Sequence, residues 1–256
     1  MTAALLLATL LAQAGAGAPP RGLTCLTRWY DGEVQHQPDA GWGLTLSNGV
    51  FVPWTSRTDG VGVDPEGEAI PSLADIYEPP YAAGPIVPVD TSDAGSPVDP
   101  GRARVEELFR ATYGASRDAV QARLTKVRFF GLRYPFHERA APALERVVAR
   151  LQEALKHEPK LLPFLREIGG TWHWRTIKRS RALSSHAFGI AIDINVERSN
   201  YWRWTYRGQP MVWKNRVPQA VVDAFEAEGF IWGGRWKHYD TMHFEYRPEL
   251  LSPDCR

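Results

Sequence analysis

Cysteine is scarce in this chain of 256 residues: only Cys25 and Cys255 occur. They lack metal-ligand spacing with each other, which excludes a zinc site built from cysteines alone. In an oxidising compartment they can form one bridge joining the two ends of the mature chain. Excess charge is also missing. Thirty basic and 29 acidic residues leave a net charge of +1, so nothing points to electrostatic capture of nucleic acid or of an anionic membrane. No internal repeat is visible. Beyond the N-terminal segment, no stretch is long and apolar enough to cross a bilayer.

What is present is an ample core. The hydrophobic fraction is 44%, and the length suits one sizeable domain or one domain plus a smaller module. Met1 to Ala18 carries no charged side chain. Its apolar run "AALLLATLLA" is followed by small residues in "AQAGAGAPP", the pattern of an export signal, with cleavage after Ala14, Ala16 or Ala18. A periplasmic or secreted protein is therefore expected. Cys25 in "RGLTC" lies well past the apolar run and fits a lipid-attachment site poorly.

Composition divides the rest in two. Residues 19–99 begin strand-rich: "WGLTLSNGVFVPW" is two apolar runs joined at Ser47-Asn48-Gly49, a hairpin signal. They continue into a connector crowded with Pro, Gly and Asp, "YEPPYAAGPIVPVDTSDAGSPVDPG". Residues 100–256 read as the main domain. From Pro100 the pattern turns helical, with Val105, Leu108, Phe109 and Tyr113 on one face and a stop at Gly114. A short helix capped by Ser116, a strand at "KVRFF", a long helix over 141–157 and another over 218–229 follow. The expected fold is α+β: a small antiparallel sheet flanked by helices, with an N-terminal strand-rich extension.

The stretch "SSHAFGIAIDIN" (184–195) carries the first chemical signal. On a strand, Gly189, Ala191 and Asp193 share one face, and Ile190, Ile192 and Ile194 form the other, apolar one. The bare face would leave room for a ligand beside Asp193, with His186 curling over the strand's start. Near the C-terminus, "YDTMHFE" places His243 and Glu245 on one strand face, with Asp240 three residues before His243. Joined, His186, Asp193 and His243 make a two-His, one-carboxylate site with an open position for water, an arrangement that suits hydrolytic zinc. A free carboxylate is then needed to move protons, and Asp240 stands where one is required.

These two motifs resemble the zinc D-alanyl-D-alanine carboxypeptidases, the VanY-like group that also includes L-alanyl-D-glutamate peptidases. "SSHAFGIAIDIN" matches that family's S-x-H-x-x-G-x-A-x-D pattern, and "DTMHFE" resembles its second motif. The resemblance covers roughly Phe164 to Pro248. It implies one zinc per chain on His186, Asp193 and His243, with Asp240 as general base and acid. Many members carry Glu at this position, so Asp240 acts on an arm about one methylene shorter. Ser184 matches the motif serine and is expected near the ligands or the substrate. Arg175, in "TWHWRTIKRS", stands where the family often places an arginine, implying a partner for the substrate carboxylate or the developing oxyanion.

Seven of the ten tryptophans lie between Trp172 and Trp236. Trp202 and Trp204 can wall a substrate groove or simply anchor a long insertion. His238 is a spare imidazole in reach of substrate, and Glu245 can orient His243. The expectation is an exported, monomeric zinc peptidase acting on peptidoglycan stem peptides. The alternative is a catalytically silent, zinc-stabilised wall-binding module, which would have no need of Asp240.

Overall fold

The computed structural model describes residues 17–55, 71–92, 99–177, 182–206 and 210–255. The expected export signal therefore falls almost wholly outside the described residues. A first helix α1 (Arg21–Leu26) leads into strands β1 (Gly32–Gln37), β2 (Gly41–Leu46) and β3 (Phe51–Pro53), which form an antiparallel three-stranded sheet. The Ser47-Asn48-Gly49 turn is in place. Gly49 takes φ +83°, Val50 N–H donates to Asn48 Oδ1, and Leu44 pairs with Val52.

The main body begins with α2 (Glu106–Tyr113) and α3 (Arg117–Ala122), where Ser116 caps α3 by accepting from Ala119 N–H. A hairpin of β4 (Leu124–Phe129) and β5 (Leu132–His137) leads to α4 (Ala141–His157). Leu144, Val147 and Leu151 of α4 are wholly buried, each contributing about 1.5–3 kcal/mol by burial, while Val148 and Leu155 complete the stripe half-buried. The last sheet contains β6 (Ile168–Gly170), β7 (Ala191–Asn195), β8 (Phe230–Trp232) and β9 (His243–Tyr246), in the order β6-β7-β9-β8, all antiparallel. Helix α5 (Gln219–Glu226) packs beside it.

The fold is α+β as expected, with the strands split among three small sheets rather than one. One apolar core runs through all of it: Leu23, Leu26 and Leu44 of the N-terminal segment join the same cluster as Phe109, Leu144, Ile192 and Phe244. Cys25 and Cys255 are joined by a disulfide across 230 residues of sequence.

Two expectations need correction. The helix expected from Pro100 starts only at Glu106. Gly101 lies in a turn at φ +72°, and residues 102–105 belong to no helix or strand; burial alternates along them, with Arg102 and Arg104 half-buried between buried neighbours. Gly189 is not part of a bare strand face either. Strand β7 starts at Ala191, and Gly189 closes a 3-10 turn (Ser185–Phe188) at φ +68°. A Cβ there would lie 2.7 Å from Leu124 Cδ2 and 3.2 Å from His137 N. The glycine answers a left-handed backbone and close packing against β5, not access for a ligand. Ala191 is fully buried, so the opening on that face is confined to Asp193.

Candidate metal site and cleft

Register brings the ligand candidates together. Asp193 of β7 sits directly across from His243 of β9, and residues opposed in this way hold their Cβ atoms about 5 Å apart. Alternation sends Phe244 into the core, where it stacks on Phe225 with centroids 4.0 Å apart, and leaves His243 and Glu245 on the other face. The 3-10 turn before β7 carries His186. That turn is pinned from outside: α2's Glu106 accepts from Leu183 N–H at 2.8 Å, and Ser184 Oγ accepts from His186 N–H at 3.4 Å.

Three donor atoms converge. His186 Nε2 lies 3.2 Å from Asp193 Oδ1 and 3.2 Å from His243 Nδ1, and His243 Nδ1 lies 3.0 Å from Asp193 Oδ1. Among the described residues these three form a group able to hold a metal ion. Tetrahedral bonds of about 2.0–2.1 Å need ligand-to-ligand edges of about 3.3 Å, close to those found. The outer ring nitrogens are already engaged. His186 Nδ1 donates to the Thr171 carbonyl, and His243 Nε2 donates to Glu245 Oε2 at 3.0 Å. Both imidazoles thereby turn a lone pair towards the shared centre, the arrangement that outer-shell acceptors impose on metal-binding histidines.

Electrostatics agrees. Burial opposes protonation of His243, but the Asp193 and Glu245 hydrogen bonds outweigh it and hold its pKa up at about 9. Burial opposes ionisation of Asp193 too, yet the two imidazoles hold its carboxyl far below the usual range. A dication held by these three residues would take the place of the proton that now balances Asp193 and His243. The donor set fits a borderline ion such as zinc.

Glu245 is fully buried and held by Arg104, through Nε at 3.2 Å and through Nη2, and by Arg247 Nη1 at 3.4 Å. These charges overcome burial and keep its carboxyl well below the usual range.

The cleft over the triad is walled by Arg102, Arg104, Arg175, Trp202, His238 and Asp240. Asp240 precedes His243 in a tight turn, with His243 N–H donating to Asp240 O at 3.1 Å. The three-residue spacing thus puts both side chains in one cleft. Asp240 Oδ1 is enclosed and has no hydrogen-bond partner among the described residues. Burial, with the Asp193 carboxylate second, pushes its pKa up to about 6. Residues 178–246 match the family model described as D-alanyl-D-alanine carboxypeptidase. That span holds the three ligand candidates, Ser184, His238 and Asp240. The match supports a peptidase of this family as a whole and does not single out its VanY-like group. No solved structure matches the chain.

Of the remaining expected site residues, Ser184 lines the cleft and caps the turn carrying His186. Arg175 lines the rim; it is exposed, and its side chain has no hydrogen bond or ion pair among the described residues. Trp202 borders the cleft with its ring 4.9 Å from that of His238, while Trp204 stands 49% exposed. The segment carrying Trp202 is strapped to the Asp240 turn by Trp202 N–H to Tyr239 O and Thr241 N–H to Asn200 O. Trp202 therefore both anchors its loop and faces the site. Sequence reasoning missed Asp99, Arg102, Arg104 and the Thr171 carbonyl. The signal for the two arginines was their period-2 alternation in "GRARV", which a helical reading of the segment concealed.

Proposed function

We propose that this chain is an exported, zinc-dependent peptidase that hydrolyses peptide bonds in peptidoglycan stem peptides, acting as a monomer. The observation that carries the reading is Asp240: an enclosed carboxylate oxygen without a partner, beside three converging ligands, in an open cleft. A structural metal centre has no use for such a group, whose burial costs stability and whose pKa of about 6 suits proton transfer near neutrality.

His186, Asp193 and His243 would hold the ion, which supplies a Lewis acid for the scissile carbonyl and lowers the pKa of water. Asp240 takes the proton of the attacking water and returns it to the departing amine. Glu245 and the Thr171 carbonyl keep the two imidazoles oriented through both steps. His238 and Arg175, on the cleft wall, stabilise charge that develops on the carbonyl oxygen. Trp202 and Ser184 border the bound peptide.

The test is incubation of the zinc-loaded chain with purified muropeptides, read by mass spectrometry, with and without chelator and alongside His186→Ala. Cleavage that chelator and the substitution both abolish is expected, and the product masses separate loss of a terminal D-alanine from a cut within the stem. Intact muropeptides with the zinc-loaded wild type would sink the hydrolytic reading in favour of a wall-binding module.

A further inference from the structure

Arg102 and Asp99 lie outside the family match, yet Arg102 stands in the cleft. Five contacts fix it there. Arg102 Nη1 donates to Asp99 Oδ2 at 2.8 Å, and its guanidinium lies 5.1 Å over the Trp236 ring. The backbone on both sides is clamped. Buried Arg247 donates through Nη1 to Gly101 O at 2.8 Å and through Nη2 to Ala103 O at 3.2 Å, and Trp236 Nε1 donates to Pro100 O at 2.9 Å.

Asp99 is itself wholly buried, and it serves two residues of the cleft. Besides Arg102 it accepts from Lys237 N–H at 2.6 Å and from His238 Nδ1 at 3.1 Å. His238 and Arg102 are thus set on one wall by one carboxylate. That wall also carries Asp240, and Arg102 is near enough to favour its ionised form.

The cations of the cleft are not equivalent. Arg104 is committed to Glu245. Arg203 lies over the Trp202 ring at 4.9 Å, and Arg175 is exposed at the rim, its side chain without a hydrogen bond or ion pair among the described residues. Arg102 is held rigidly, with its side chain one-third exposed and only Nη1 engaged in a hydrogen bond among the described residues. Its remaining N–H donors are free to form the forked contact that a carboxylate prefers. Pre-organisation of this kind lowers the ordering cost of binding.

Resting on the hydrolytic reading above, we infer that Arg102 is the receptor for a carboxylate on the leaving residue of the substrate, with Asp99 as its positioning residue. Asp240 delivers its proton to the leaving amine from the same wall, so the leaving fragment lies against Arg102. The substrate class is a peptide cut next to a free C-terminal carboxylate, and the enzyme is a carboxypeptidase.

The test compares a stem pentapeptide ending in D-alanyl-D-alanine as the free acid and as the C-terminal carboxamide. Binding is measured by calorimetry on the zinc-loaded Asp240→Ala chain, so the readout does not depend on turnover. The free acid is expected to bind about 10–100-fold more tightly than the amide, the range for charged hydrogen bonds. Adding Arg102→Ala is expected to erase that preference while leaving amide affinity in place, Arg102→Lys to retain part of it, and Asp99→Asn to weaken it. A merely structural role would lower both affinities together. Equal binding of the two peptides, absence of binding, or a preference that survives Arg102→Ala but vanishes with Arg175→Ala would overturn the inference. Acid-selective binding through Arg102 in a chain whose wild type leaves muropeptides intact would sink the hydrolytic proposal alone.

Discussion

On one side of the cleft, Asp193 and His243 face each other across a β-ladder, and backbone hydrogen bonds set their separation. On the other, Arg102 stands on a segment with no strand partner among the described residues, held by Asp99, Trp236 and Arg247. The ladder places ligands through register, which a side-chain substitution rarely moves. The opposite wall is placed by side chains, so each substitution there loosens it by degrees. The paired ligand candidates sit on the ladder; on the reading proposed above, Asp240 and carboxylate recognition belong to the wall.

The largest expected break in that contrast is at Asp240. Asp240→Asn is expected to lower kcat by about 10²–10⁴-fold with zinc content unchanged by elemental analysis. Its stability effect has the opposite sign. The folded-state pKa is raised from 3.8 to about 6, so the neutral carboxyl's contribution is full below about pH 4 and is lost as pH rises through 6. In the metal-free chain at pH 7.5, Asp240→Asn is therefore expected to be more stable by on the order of 3 kcal/mol. The gain should disappear in denaturant melts near pH 4.

Glu245→Gln sharpens the comparison next. It weakens the acceptor that orients His243 and is expected to reduce zinc affinity about 10–100-fold in competition with a chromogenic chelator. Arg102→Ala in the same assay should leave zinc affinity unchanged. Metal affinity lowered equally by both would show that the two sides are one unit.

Pairing Cys25→Ser with Cys255→Ser should cost about 2–4 kcal/mol of global stability in urea unfolding, with kcat/KM unaltered at temperatures where the chain stays folded. The smallest effect is expected at exposed Trp204, where alanine should change stability by no more than about 0.5 kcal/mol. A loss of muropeptide affinity there would extend the recognition wall beyond Trp202.

The ligand candidates and Asp240 were legible in the sequence because each of their signals is local. His186 and Asp193 share one 12-residue stretch, Asp240 and His243 one tight turn, and strand alternation alone separates His243 from Phe244. Helix 141–157 was legible for the same reason, with an apolar stripe of regular period and Pro159 just beyond it. The arginines and Asp99 of the wall were not, because Asp99 meets His238 across 139 positions and Arg104 meets Glu245 across 141, and no short-range pattern encodes such pairings. Gly189 misled for a different reason. Small size and positive φ leave the same letter in a sequence, and only the backbone distinguishes them.

The order of strands in the last sheet has a bearing on when the candidate ligands can meet. β9 is the last strand in the chain but occupies an interior position between β7 and β8. Until it inserts, β7 has one open edge, β8 has no neighbour, and His243 is nowhere near its fellow ligands. A polypeptide whose β9 has not yet been made thus holds at most two of the three groups. The candidate metal site is complete only once the sheet has closed.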